Sequence, residues 1–366
     1  SSGGFLGFGP TSALAGTVDQ PSASLQTAED LGLTAAVQAL VWANERVYVG
    51  GNFLRAGNLQ GGVQGVGHVV SWDGVRVHRL GLGLDGGVNT LVYWHGLVVA
   101  GGTFSTALQR AGNPRLGTGG LAAWNETAQQ WSMVGGARVN GVVMACLAVG
   151  RRLYVGGLFD SVGAVSTNGL AVLEDGVWSS VGGGVLGGTV YSIFEQHGHL
   201  YIGGTFSRVG SVPIGRLARW DGRQWLSLGE LEGEVRAISA VGEYVFVGGS
   251  FKTIDGKPMN NVAVLYSGQW SSLNGGLNGP VHALQDVASC MHIGGVFSGP
   301  AVPTQSGTGP GRYITRWCLD SLDSQDGPVF ADFQGFPGLG PVRAIVPVVH
   351  DVDPSFAPVS GTCAAI

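Results

Sequence analysis

Hydrophobic positions along this chain come in short bursts broken by polar and glycine turns, and six of the bursts end the same way. They are VYVGGNF (47–53), LVVAGGTF (97–104), LYVGGLF (153–159), LYIGGTF (200–206), VFVGGSF (245–251) and MHIGGVF (291–297). The closing phenylalanines lie 51, 55, 47, 45 and 46 residues apart. A period of this length marks a repeat architecture. Nothing reads as a helix of useful length, and the stretch 24–33 is ambiguous.

Each repeat carries four β signals. The first is a Val-x-small-aliphatic run, as in Val37-Gln38-Ala39-Leu40, Val88-Asn89-Thr90-Leu91 and Val190-Tyr191-Ser192-Ile193. The Gly-Gly-x-Phe strand follows a polar turn. The third strand ends at Trp72, Trp124, Leu173, Trp220, Leu265 or Trp317, and the fourth opens on a tryptophan such as Trp131, Trp178, Trp225 or Trp270. Between third and fourth stand Asp73-Gly74, Asp175-Gly176, Asp221-Gly222 and Ser267-Gly268, which predict tight type I′ hairpins because both positions accept positive φ. The glycine pairs mark a place where a neighbouring backbone comes close, and the phenylalanine after them is expected to pack between blades.

Four antiparallel strands repeated radially are the blade of a β-propeller, so the predicted fold is all-β. The first-strand pattern recurs at Val342-Arg343-Ala344-Ile345 with no second Gly-Gly-x-Phe strand after it. Ring closure removes exposed sheet edges, which favours seven blades, the seventh composite from both termini, over six. The expected division is 1–33 as a segment closing the ring on Val342 to Ile345, 34–339 as six complete repeats, and 340–366 as a seventh first strand with a tail. The rival is that Val342 opens further repeats of a longer protein.

Composition narrows the function. Charged residues are 12% and the net charge is −5, with lysine only at 252 and 257; a nucleic-acid footprint needs a clustered basic face. No apolar run approaches the length of a membrane span. Of four cysteines, Cys146 stands where other repeats carry Leu or Ile and reads as a small core side chain. Cys290 opens the second strand of repeat six and Cys318 ends its third, neighbouring ends in an antiparallel pair, so a cross-strand disulfide is expected. Cys363 has no evident partner. Asn125-Glu126-Thr127 is the one Asn-x-Ser/Thr sequon, in an expected surface turn where a glycan at Asn125 is tolerated. Together these place the chain outside the cell, secreted or at the surface.

From 200 to 238, the order GGTF, LARWDG, QWLSLG and VRAI resembles the repeats of large secreted and surface propellers. Such repeats occur in bacterial surface proteins and in the fungal cortical cell-polarity marker family; Kelch-type propellers and the galactose oxidase central domain are more distant. The resemblance spans roughly 33–345. It implies an extracellular interaction or structural module without enzymatic activity.

The residues offer no catalytic set and no cofactor. Histidines 95, 197 and 199 fall in first-to-second-strand turns and read as structural or solvated. The acidic sets 230, 232, 234 and 320, 323, 326 read as solvated loops rather than calcium sites. Gln38, Asn89, Tyr191, Arg236, His282 and Arg343 share one first-strand position, expected either to line the mouth of a central channel for binding or simply to solvate it.

Loop lengths discriminate better. From the Phe to the third strand, repeats three, four and five use ten residues each, whereas repeats one, two and six use 15 (54–68), 16 (105–120) and 16 (298–313). Long loops on a rigid scaffold are where binding sits. The leading expectation is adhesion or structural assembly, in a surface layer or filament, through these loops and the tails. The candidate contacts are Arg55, Arg110, Arg115, Arg312 and Tyr313, the partner being another protein or a second copy. The alternative is a lectin-like module in which loop aromatics such as Tyr313 stack on a glycan.

Overall fold

A computed structural model describes residues 5–7, 13–14, 26–27, 33, 35–56, 63–73, 75–109, 115–287, 289–301, 313–318, 342–343, 345–348 and 362–365. The chain divides into two compact units, Gly32–Ile238 and Ser1–Leu31 with Ser239–Ile366.

In the first unit each of four repeats forms an antiparallel sheet whose four main strands follow chain order. Repeat one is Val37–Ala43, Arg46–Gly51, Val69–Trp72 and Val77–Arg79. Repeat two is Val88–Trp94, Leu97–Gly102, Leu121–Asn125 and Gln130–Ser132. Repeat three is Val139–Val149, Arg152–Val162, Leu170–Glu174 and Val177–Ser180. Repeat four is Val190–Gln196, His199–Gly204, Leu217–Trp220 and Trp225–Ser227.

Both sequence signatures have one cause, the contact between successive sheets. Each first strand bulges after its valine, as between Val37 and Ala39 or Val190 and Ser192, and the bulge lies opposite the glycine pair. A Cβ on the second glycine would strike the carbonyl just before that valine, that of Ala36 at Gly51 and of Thr189 at Gly204. The first glycine faces the other way. A Cβ on Gly50 would stand 2.5 Å from Val88 Cγ1 of the next repeat, and on Gly156 2.7 Å from Val190 Cγ1; Gly101 meets Val143 and Gly203 meets Val235 in the same way. The glycine therefore leaves the notch into which the next repeat's valine fits.

Because the sheets stack face to face, the second strands bury both sides over most of their length. Val98 and Ala100 pack with Tyr48, Val69 and Leu80 of repeat one, while Val99 packs with Val143, Val155 and Leu173 of repeat three. All six closing phenylalanines are buried. Fourth-strand tryptophans link repeats by hydrogen bonds: Trp131 Nε1 donates to Leu80 O (2.9 Å) and Trp225 Nε1 to Gly182 O (3.1 Å).

The strand Leu231–Val241 carries the chain towards the second unit. There, Tyr244–Ile254, Val262–Tyr266 and Gln269–Ser272 run in sheet order, as do Val281–Val287, Cys290–Gly295 and Ile314–Cys318. The glycine notch recurs: Gly248 meets Val281, and Gly294 meets Val342 with Ile345 Cδ1 3.2 Å from the same point. The seventh Val-x-small-aliphatic segment thus docks on repeat six as the other first strands dock on their predecessors. Cys290 pairs in register with Cys318, and their sulfurs form a disulfide with the Cα atoms 4.0 Å apart.

A five-stranded sheet draws on both ends of the chain, in the order Gln26–Thr27, Ala13–Leu14, Phe5–Gly7, Thr362–Ala365, Ile345–Val348. The expected direct pairing of residues 1–33 with the strand at Val342 is corrected by this order. Thr362–Ala365 lies between them, parallel to Phe5–Gly7 and antiparallel to Ile345–Val348. A segment read as tail is a strand.

The hairpin expectation also needs correction at two positions. Asp175-Gly176 and Ser267-Gly268 do have positive φ at both residues, 51° and 81°, 47° and 76°. Asp73 and Asp221 do not. Each instead accepts backbone N–H donors through Oδ1, from Val75 (2.9 Å) and Arg76 (2.7 Å), and from Arg223 and Gln224 (both 2.8 Å). These connections are longer, and the aspartate side chain holds them as an Asx turn.

Candidate functional site

The loops between second and third strands leave the sheets at the end where one repeat also connects to the next. In repeat one, Arg55–Ala56 pairs with Val63–Gln64, so the long loop is a second small hairpin. In repeat two, Thr106–Leu108 pairs with both Arg115–Gly117 and Gly83–Leu84. The repeat-two loop is therefore an extra sheet built on the repeat connection.

Two side chains that drew no notice in the sequence fix their bases. Asp85 Oδ1 accepts from the Ser105 and Thr106 N–H groups (both 2.8 Å), and its Oδ2 from the Ser105 hydroxyl (2.9 Å). Burial pushes the Asp85 carboxyl up, but these donors together hold it below its ordinary value. Asn278 does the same in repeat six, accepting from Ser298 N–H (2.9 Å) and donating to its hydroxyl (3.1 Å). Both stand three residues before a first-strand valine, in DGGV and NGPV, and both precede long loops.

Of the candidate contacts, Arg55 and Arg115 are exposed on the hairpins of their loops. Arg110 and Arg312 lie outside the described residues. Tyr313 is placed differently from a loop tip. With φ of 67°, it donates its N–H to Phe297 O (3.0 Å), accepts from Gly295 N–H (3.0 Å), and packs half-buried against Ile314 and Val342. His68, Gly169, Arg216 and Asn261 hold the same position in other repeats, with the same pair of backbone bonds. The residue there ends the loop.

Exposed aliphatic side chains gather at the loop end of the first unit. Leu54 (57% exposed) follows Phe53, Leu158 (59%) sits inside Gly-Gly-x-Phe, and Leu82 and Leu186 lie on repeat connections. Leu186 pairs with Arg208 and Leu158 with Val142, which fixes them beside the second-to-third-strand loops. Val212, in the loop of repeat four, is also exposed.

First-strand polar residues are used for contact between repeats. Asn89 Nδ2 donates to Val143 O (2.9 Å), Thr90 Oγ1 accepts from Cys146 N–H (3.2 Å), and Ser192 Oγ accepts from Ile238 N–H (3.1 Å). The Arg236 guanidinium lies 5.4 Å from the Tyr191 ring centroid and pairs with Glu234. Burial pushes the Cys146 thiol up, as expected of a core side chain rather than a nucleophile. His95 and His197 occupy positive-φ turn positions, 48° and 52°.

Asn125 ends a third strand, its Oδ1 accepting from Ala128 N–H (2.8 Å). The middle residue of its sequon does more. Glu126 Oε2 accepts from Trp124 Nε1 (2.7 Å) and the Tyr48 hydroxyl (3.2 Å), and Oε1 lies 3.3 Å from Arg46. The Tyr48 hydroxyl is pushed up to about 12, first by burial and then by the Glu126 charge. One carboxylate thus clasps repeat one to repeat two.

No family model matches the chain, and no curated protein matches it. Solved structures do. The extracellular domain of a putative one-component system from B. thetaiotaomicron aligns at 13% identity and a TM-score of 0.51, over 94% of this chain and 37% of its own. A computationally designed protein, Ika8, aligns at 17% identity, TM-score 0.45, over 89% and 93% of the two chains. The WD40 β-propeller domain of Doa1 aligns at 11% identity, TM-score 0.42, over 71% and 75%. The first of these likenesses is one of fold.

Proposed function

We propose that the chain is a non-enzymatic extracellular β-propeller of seven blades that adheres to, or assembles with, protein through the loop end of its sheets. The observation that carries the reading is the set of exposed aliphatic side chains there, Leu54, Leu82, Leu158, Leu186 and Val212, interspersed with exposed Arg55, Arg115 and Arg208. Aliphatic surface with arginine suits a protein interface, whereas a sugar surface calls for aromatic rings. The exposed tyrosines, Tyr93 and Tyr266, lie at the opposite end of their sheets.

Seven blades are supported by Val342 repeating the glycine-notch contact and by a sheet assembled from both ends of the chain. The disulfide and the sequon support an oxidising, extracellular setting, the setting of the B. thetaiotaomicron domain that shares the fold. Five carboxylates have structural partners: Asp73, Asp85 and Asp221 hold loops, and Glu126 and Glu174 hold arginines.

Sedimentation of the purified chain over a range of concentrations tests self-assembly. Wild type should sediment as more than one copy, and Leu158→Asp with Leu186→Asp should return it to a monomer. A wild-type chain that stays monomeric at every concentration removes assembly with its own kind.

A further inference from the structure

The clasp at the junction of repeats one and two has an open counterpart between repeats three and four. In the first junction, Arg46 and Tyr48 at the start of a second strand meet Trp124 and Glu126 at the end of the next repeat's third strand. The same positions meet between repeats five and six, where Tyr244 and Phe246 lie 5.6 and 5.0 Å from Trp317, centroid to centroid. Between repeats three and four they are Arg152, Tyr154, Trp220 and Gly222. Arginine, tyrosine and tryptophan are kept; the glutamate is not.

The space that Glu126 fills is vacant there. A Cβ on Gly222 would meet nothing within 4 Å. Tyr48 and Trp124 are fully buried, whereas Tyr154 and Trp220 are half-buried. They line a cavity of about 340 Å³ with Arg152, Glu174, Glu195 and Leu200. That volume is at the lower end of small-molecule sites, roughly 300–1,000 Å³.

The charges decide what fits. Arg152 Nε already donates to Glu174 (2.9 Å), and Glu174 and Tyr154 keep the guanidinium firmly charged. Arg151 pairs with Asp175, and Glu195 accepts from Gly198 N–H (2.6 Å). Lining cations 151 and 152 are balanced by lining anions 174 and 195. An acid is therefore not favoured, although a carboxylate is what the junction lacks. What remains is a neutral cleft with guanidinium donors, carboxylate acceptors and two aromatic rings.

We propose that this groove binds a neutral saccharide, one or two pyranose rings in length, independently of the loop end. The apolar C–H face lies on Trp220 and Tyr154, and the hydroxyls take hydrogen bonds from Arg152 and give them to Glu174 and Glu195.

Saturation-transfer NMR on the full chain with maltose, cellobiose and lactose tests it, with glucuronic acid as the charged probe. At least one neutral disaccharide should receive transfer. Trp220→Ala should weaken its binding roughly tenfold or more, a factor of the size that one lost stacking contact gives. Glu195→Gln, which keeps the acceptor for Gly198 N–H, should weaken binding while leaving the fold intact, and Leu158→Asp at the loop end should leave binding unchanged. No transfer to any of the three disaccharides overturns the proposal. So does binding that survives both Trp220→Ala and Glu195→Gln, or tighter binding of glucuronic acid than of the neutral sugars.

Discussion

Adding one methyl group at Gly203 should cost more than its size suggests. The new Cβ would lie against Val235 Cγ1, 3.0 Å from Val235 Cβ and 3.1 Å from Ile238 Cδ1, all on the first strand of the next repeat. Overpacking of this kind costs about 1–3 kcal/mol, less the fraction of a kcal/mol that alanine returns by restricting the unfolded chain. With 366 residues and an unfolding entropy of about 2.1 cal/mol/K each, the Gly203→Ala protein should melt about 1–3 °C lower. Gly215→Ala is the control, because there the nearest atoms are at ordinary distance, Phe206 O at 3.4 Å and Ser207 Cα at 3.8 Å; it should be neutral or slightly stabilising. Val235→Ala opens space on the other side of the same contact. The double variant should recover part of both losses, with a coupling of about 0.5–3 kcal/mol in denaturant titrations. Equal behaviour of Gly203→Ala and Gly215→Ala, or strict additivity with Val235→Ala, would refute the notch as the element that seats each repeat on the one before.

Three further outcomes follow from single sites. Reducing the Cys290–Cys318 bridge, which closes a separation of 28 residues, should remove about 3.5 kcal/mol of stability by the chain-entropy relation; peptide mapping without reductant should recover the two cysteines joined. Burial, then the Arg316 charge, lowers His292 to about 4 from the usual 6.5. The unfolded chain therefore takes up that proton first, stability is full above pH 6.5, and about 3 kcal/mol is lost as pH falls to 4; His292→Gln should flatten that part of the stability profile. Glu126→Ala should cost about 1–3 kcal/mol because Tyr48 and Trp124 lose their acceptor inside a closed junction, while Thr127→Ala, which removes the sequon alone, should leave stability unchanged in denaturant titrations.

Repeat boundaries, strand order and the packing of the phenylalanines were legible because each strand is short and locally encoded. The partner of each glycine was not, since Gly50 answers to Val88 and Gly294 to Val342, contacts that no local pattern announces. The turns were legible in part. Asp175-Gly176 stands two residues before Trp178 and forms a two-residue hairpin, whereas Asp221-Gly222 stands three before Trp225, leaving room for an Asx turn. The dipeptide was visible, and the spacing that chooses between the two turns lay one residue further on. Tyr313 read as a loop aromatic because its loop is long; its backbone places it at the loop's anchored end. Asp85 and Asn278 passed as turn residues because a side chain that pins a loop twenty residues later, Ser105 or Ser298, has no signature until the loop is folded. The clasp at Glu126 was hidden inside a sequon, where attention goes to the asparagine.

Whether the loop end is the working surface is tested most directly by hydroxyl-radical footprinting of the protein in its native material, compared with the purified chain at high dilution. Leu54, Leu158 and Leu186 should lose labelling in the native material, while Val75, Val177 and Tyr266, exposed at the other end of their sheets, keep theirs. Equal labelling of the three leucines in both states, or protection confined to the opposite end, would contradict binding through the loops.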